Sequence, residues 1–268
     1  MSVQIHQTAV VHPAARLGSD VVVGPYCVVE DKVELGDRTR LEAFVHIKPY
    51  TVMGADNVVH SYACLGGEPQ HLGFKGEETY VRIGDRNIVR EYATINRGTV
   101  QGRGETRVGS DCMLMAYIHV AHDCALGDHV IMANGASLAG HVQVGDWVVI
   151  NGLSGVQQFV RIGEYAFLGG VSAFNQDVPP FMLARGNIAS LYGPNFIGLK
   201  RRGFSSETCQ ALKKAYRTIF RAGLPRDEAL EKVQTEHAAV PEVLRLVEFI
   251  RASKCGVCQG AGKNGEEE

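Results

Sequence analysis

Val21-Val22-Val23-Gly24-Pro25-Tyr26-Cys27-Val28-Val29-Glu30-Asp31-Lys32-Val33-Glu34-Leu35-Gly36 repeats itself every six residues, with Val23, Val29 and Leu35 in equivalent places. The same phase runs back through Leu17, Val11 and Ile5, and forward through Leu41, Ile47, Met53, Val59 and Leu65. It resumes after an interruption at Ile83, Val89 and Ile95. After a second interruption it continues, shifted, from Val108 through Leu114, Val120, Leu126, Met132, Leu138, Val144, Ile150, Val156 and Ile162 to Leu168. With Val, Ile, Leu and Met at roughly a quarter of residues, eleven in one phase has a chance probability on the order of 10⁻⁷. A helix fails as an explanation, because 3.6 residues per turn carries sixth neighbours round its circumference.

A period of six fits a prism: each hexad is a short strand plus a turn, and three hexads make one coil of about 18 residues with the aliphatic position inward. Backbone hydrogen bonds then run between coils about 4.8 Å apart, and eight or so coils stand roughly 40 Å tall. Glycines that follow the aliphatic residue, such as Gly24 and Gly36, are expected where the backbone turns tightly. The fifth position is expected to face a corner with little room, which accounts for Cys27, Cys112 and Cys124 by packing.

Two stretches break the period. Gly66 to Arg82 equals one coil in length and carries Gly67-Glu68-Pro69-Gln70-His71. The second is Gln101 to Arg107. Both read as loops projecting at about 66–82 and 101–107, and excursions from a rigid scaffold are places for function. The prism is expected over 1–197 and a helical region over 198–252. There Ser205-Ser206-Glu207 supplies an N-cap with an early acid, and Pro225 and Pro241 open further helices. Residues 253–268, Gly-rich and ending Glu266-Glu267-Glu268, read as a disordered tail.

The 268 residues carry a formal net charge of -2, which argues against a general nucleic-acid binder. No apolar run is long enough to span a bilayer. The N-terminus lacks a signal-peptide pattern, so a cytoplasmic protein is expected. The 7 cysteines are odd in number and irregular in spacing, and Cys255-Gly256-Val257-Cys258 is at best half of a zinc site.

Among the 10 histidines, His6, His12 and His60 share the second hexad position, and His237 falls on a C-terminal helix. His119, His122 and His141 group around neighbouring coils. His141 follows His122 by one coil plus one residue, which makes the two neighbours on adjacent rungs. Asp123 follows His122. A carboxylate beside an imidazole can fix its tautomer and support its protonated form, as a general base requires. A satisfied structural histidine is the plainer reading of such a pair.

His122-Asp123-Cys124, Leu138-Ala139-Gly140-His141, Gln176-Asp177-Val178-Pro179-Pro180, Arg185-Gly186-Asn187 and Gly198-Leu199-Lys200-Arg201-Arg202-Gly203-Phe204 resemble the acyl-[acyl carrier protein]–UDP-N-acetylglucosamine O-acyltransferase family, from about Ile5 to Ile250. The resemblance implies a mainly β protein, a left-handed parallel β-helix of hexapeptide repeats with a C-terminal helical region, assembled as a homotrimer with sites between subunits. It implies transfer of a 3-hydroxyacyl chain from acyl carrier protein to the 3-hydroxyl of UDP-N-acetylglucosamine, the first step of lipid A biosynthesis. No metal or other cofactor is implied. By the same match His122 is the general base, Asp123 its support and the Gly140 N–H the oxyanion donor. Gln70, Lys75, His141, Gln158, Asn195, Arg201 and Arg202 are implied in substrate binding, and Gly170 in setting acyl-chain length. Paired arginines suit a diphosphate, although Lys200-Arg201-Arg202 equally fits a solvated basic run or steering of an acidic carrier protein.

Relatives often carry an acid where this chain has His71, a lysine where it has Gly73, a histidine where it has Gln157 and a glutamate where it has Ile197. Lys75 lies two residues from that lysine position. These departures keep a 3-amino sugar nucleotide open as acceptor. Two other readings stay open. One is another hexapeptide acyltransferase. The other is a zinc enzyme similar to the γ-class carbonic anhydrases, with His119, His122 and His141 as ligands.

Overall fold

The structure, a computed structural model, describes residues 2–261. The chain winds as a left-handed parallel β-helix of triangular section, an exception to the usual right-handed crossover. One wall begins with Gln4–Ile5, the second with Val10–Val11 and the third with Arg16–Leu17. Successive hexads fall on successive walls, and each strand pairs in parallel with its equivalent one coil away, as Val23 does with Leu41. The first wall ends in an antiparallel pair, Met182–Arg185 with Ser190–Pro194.

The inward positions from Val23 onward, among them Leu41, Ile47, Leu65, Ile95, Leu114, Val120, Leu138 and Ile150, are buried in one continuous core, with Val11 and Leu17 partly buried against it. Non-glycine residues adopt φ between +52° and +68° at the fourth hexad position, among them Tyr26, Asp123, His141 and Trp147. The tight turn therefore falls on side-chain-bearing residues. Glycine in the second position answers to space: a Cβ on Gly36 would lie 2.4 Å from the Gly54 carbonyl carbon in the next coil. This corrects the expectation that those glycines supply the turn.

The register locates both loops. Val23 and Leu41 pair 18 positions apart, Val59 and Val89 30 apart, and Val89 and Leu114 25 apart. Leu65 and Ile83 thus lie on successive walls, and the first excursion adds two hexads to a coil, not a whole coil. The first loop is shorter than expected and the second begins and ends earlier. Cys64–Gly67 and Tyr80–Ile83 are strands, so the first loop spans 68–79. Glu105–Val108 pairs with Tyr80–Ile83, so the second spans 97–104.

Among the described residues four helices follow: α1 (Phe196–Arg201), α2 (Ser206–Arg221), α3 (Arg226–Glu236) and α4 (Pro241–Arg251). Helical structure starts two residues before the expected 198, because the Asn195 side chain accepts from the Gly198 N–H and caps α1. Ser205 caps α2 by accepting from Thr208. The stretch 253–261, expected to be without structure, is docked. Cys258 N–H donates to the Asp177 carbonyl (2.9 Å), Leu191 N–H to that of Gln259 (2.8 Å), and Val257 and Cys258 are buried. These bonds satisfy edge groups at the end of the prism. Residues 262–268 of that expected tail lie outside the described residues. At the opposite end Val3 and Ile5 are exposed, whereas Phe174 and Phe181 fill the helical end. Among the described residues no helix is long and apolar enough to cross a membrane.

Candidate active site

The edge between the second and third walls carries both loops, and His122, Asp123, Gly140 and His141 lie directly above them. His122 occupies the third hexad slot and Asp123 the fourth, with φ of 61°. That turn presents both side chains at the corner. Asp123 is fully buried, and its Oδ2 lies 2.9 Å from His122 Nδ1.

Four further bonds hold Asp123. Its carboxylate accepts from the Thr99 hydroxyl (2.7 Å), the Thr99 N–H (3.1 Å) and the Arg103 N–H (2.8 Å), while its own N–H donates to Thr106 Oγ1 (2.8 Å). Burial by itself would raise the carboxyl pKa. The hydrogen bonds from Thr99, His122 and the loop backbone outweigh it and hold the group below its ordinary value.

His141 stands one rung above His122, ring centroids 5.2 Å apart and perpendicular, as the spacing of one coil plus one residue requires. Burial lowers its pKa, as do the neighbouring charges of His122, Arg103 and His71, against an upward pull from Asp123. Its other face stacks on Phe159 at 4.6 Å. Gly140 is glycine because the His122 ring lies over it: a Cβ there would meet His122 Cε1 at 2.7 Å. His71, on the first loop, brings its ring to 5.5 Å from that of His122.

His119 does not join this group. It starts a strand of the second wall, and its Nδ1 bonds Thr94 Oγ1 at 2.8 Å in the coil below. Among the described residues, the acids and imidazoles close enough to share one ion are His122, Asp123 and His141. The three-histidine ligand set of the zinc reading is therefore not assembled, because residue 119 is on the strand, three positions before the corner residue His122.

The remaining expected residues are spread over the three edges. Gln70 and Lys75 are exposed on the first loop, and Gln158 is exposed beside Phe159 on the histidine edge. Asn195 and Arg202 sit at the edge between the third and first walls. Asn195 Nδ2 donates to the Tyr165 carbonyl (3.1 Å), and the Arg202 guanidinium lies 3.7 Å over the Trp147 ring. Arg201 is exposed. Gly170 lies at the third edge, where a Cβ would meet the Gly152 carbonyl at 3.2 Å. It lines a cavity of about 1290 Å³ shared with Phe167, Tyr192 and, on α2, Lys213 and Arg217. That cavity is well away from the histidines.

Sequence reasoning missed Thr99, Arg103 and Thr106 as partners of Asp123, and His71 as a neighbour of His122. Nothing periodic marks them, since three lie in or beside one excursion and the fourth in the other.

The family model described as UDP N-acetylglucosamine O-acyltransferase, domain 2, matches residues 177–258, and the bacterial transferase hexapeptide model matches 105–140. An acyl-[acyl-carrier-protein]–UDP-N-acetylglucosamine O-acyltransferase from Thermodesulfovibrio yellowstonii is 49% identical over 256 residues, 96% of this chain and 99% of that protein. The enzyme of that name from Halorhodospira halophila is 48% identical over 256 residues, 95% of this chain and 98% of that one. The solved UDP-N-acetylglucosamine acyltransferase LpxA of Bacteroides fragilis superimposes with a TM-score of 0.94 at 38% identity, covering 96% of this chain and 100% of its own. LpxA from Acinetobacter baumannii does so with a TM-score of 0.93 at 40% identity, covering 95% and 99%. With likeness at this level along nearly its whole length, the chain belongs to the acyl-[acyl-carrier-protein]–UDP-N-acetylglucosamine O-acyltransferase family and is an acyltransferase.

Proposed function

We propose that this chain transfers a 3-hydroxyacyl group from acyl carrier protein to the 3-hydroxyl of UDP-N-acetylglucosamine, opening lipid A synthesis in the cytoplasm. The observation that carries the reading is the contact of His122 Nδ1 with the buried Asp123 carboxylate, with the ring lying on Gly140. In this reading Nε2 removes the proton of the sugar 3-hydroxyl. The oxygen attacks the thioester carbonyl carbon, and the resulting oxyanion takes the Gly140 N–H, which makes no hydrogen bond among the described residues. Such a donor is typically worth about 3 kcal/mol in the transition state. Collapse breaks the C–S bond, and the imidazolium returns its proton to the departing thiolate.

A homotrimer with sites between subunits belongs to the same reading. One chain leaves Asn195, Arg201 and Arg202 on a different edge from His122, and a neighbouring copy could bring them to it. Leu153 and Val171, exposed on the edge of Gly170, offer such a copy apolar surface. A sedimentation experiment that finds single chains would break this part of the proposal.

The activity is tested by mass spectrometry of products from UDP-N-acetylglucosamine with 3-hydroxyacyl carrier proteins of several lengths, and with the matching CoA thioesters. An alkali-labile mono-ester from carrier protein is the expected product. His71, Gly73, Gln157 and Ile197 keep a second acceptor open, the 3-amino sugar nucleotide. An alkali-stable amide formed only on that acceptor would replace the first reading.

A further inference from the structure

The second loop, 97–104, takes no part in the acyl-transfer steps above, yet its bonds converge on one carboxylate. The Thr99 hydroxyl accepts from the Gly102 N–H (3.1 Å), so its own proton is directed to Asp123 Oδ2, 2.7 Å away. Oδ2 thus receives Thr99 and His122, while Oδ1 receives the N–H groups of Arg103 and Thr99. A carboxylate filled by donors in this way has no proton of its own to give, so the hydrogen between it and His122 must be carried by Nδ1. That leaves Nε2 as the bare nitrogen.

The loop is built around this contact. At Gly102 a Cβ would sit 2.3 Å from the Asp123 carboxyl carbon, so only glycine lets the backbone close over the acid. At its start, Arg97 is buried, with its guanidinium 5.0 Å from the Tyr50 ring and 5.4 Å from the Phe74 ring of the first loop. The Arg97 N–H also donates to the Gly67 carbonyl (2.7 Å). The base of the loop is therefore anchored to the prism and to the first loop together.

We propose that Thr99 is a positioning residue for acyl transfer, holding Asp123 so that His122 is kept as the Nδ1–H tautomer with Nε2 free to take the acceptor's proton. The proposal rests on the reading of His122 as the base. Thr99→Val keeps the shape and removes the hydroxyl, and Thr99→Ser restores it. Losing one charge-assisted hydrogen bond that acts through the base should lower kcat roughly tenfold and leave KM for the sugar nucleotide within about twofold. Thr99→Ser should stay within about threefold of wild type.

The decisive readout is the ¹⁵N spectrum of the His122 ring in the whole protein. Nδ1–H is expected in wild type and Thr99→Ser, and a mixture with Nε2–H in Thr99→Val. Wild-type protein carrying Nε2–H overturns the proposal without any variant having to fold. An unchanged kcat in Thr99→Val, or a Thr99→Ser variant as slow as the valine one, overturns it as well. Failure of the base reading looks different: His122→Ala would then keep its rate, whatever the tautomer in wild type.

Discussion

Two edges of the same prism use one backbone slot in opposite ways. On the edge between the first and second walls, the left-handed fourth position holds Tyr26, Phe44, Tyr62, Tyr92 and Tyr117, stacked 4.9–5.0 Å apart at nearly the inter-coil spacing. On the edge between the second and third walls that slot holds Asp123 and His141, and the ladder below them is broken by two loops. A regular edge can repeat one favourable contact from coil to coil. An edge that must gather unlike groups departs from the repeat, and the loops supply the partners that repetition cannot. Chemistry sits where the period is interrupted.

Several substitutions separate the two edges. The largest expected effect is that of His122→Ala. Acyl transfer should fall 10²- to 10⁴-fold, the usual worth of a general base, while thermal unfolding followed by circular dichroism stays near wild type, because the ring packs outside the core. A rate above a tenth of wild type would remove His122 as the base. Gly140→Ala comes next. Its Cβ would press on the His122 ring, so kcat should drop by about 10², with correct winding still visible in the spectrum. Normal turnover in that variant would mean that the ring has another place to go.

Tyr62→Ala tests the regular edge. It removes two stacks and should lower unfolding free energy by about 1–2 kcal/mol, read from urea denaturation, with kcat unchanged. A loss of activity equal to that of Gly140→Ala would erase the distinction between the edges. The smallest effect concerns pH. Asp123 is held below its ordinary pKa, so its contribution to stability is present above the unfolded value near 3.9 and is lost as pH falls through the folded value. Replacing it with Asn should flatten the acid limb of a stability–pH curve. An unaltered limb would show that other carboxylates set it.

The prism was legible because its rule is one-dimensional: an inward aliphatic every six residues places Leu65, Ile95 and Val120 on one wall whatever lies between them. The adjacency of His122 and His141 followed from the same rule, with no tertiary knowledge needed. The rule is silent about what leaves the wall. His71 reaches His122 through a loop whose path depends on the Arg97, Tyr50 and Phe74 contacts. Thr99 and Arg103 meet Asp123 from an excursion of irregular length. His119 was misplaced because grouping by number ignored its slot, which turns it toward Thr94. The 253–261 stretch looked structureless by composition, yet it satisfies edge groups on Asp177 and Leu191 that no sequence pattern announces.

The unequal ends of the prism imply a direction of unzipping. In a stack whose coils touch only their neighbours, each coil is held by the one beyond it. Among the described residues the end bearing Val3 and Ile5 has no such neighbour, while helices and the docked chain plug the other. Amide hydrogen exchange should therefore be fastest in the first two coils and slow progressively toward residues 130–168. The histidine-bearing rungs lie several coils in from the fraying end, and local opening there leaves their geometry intact.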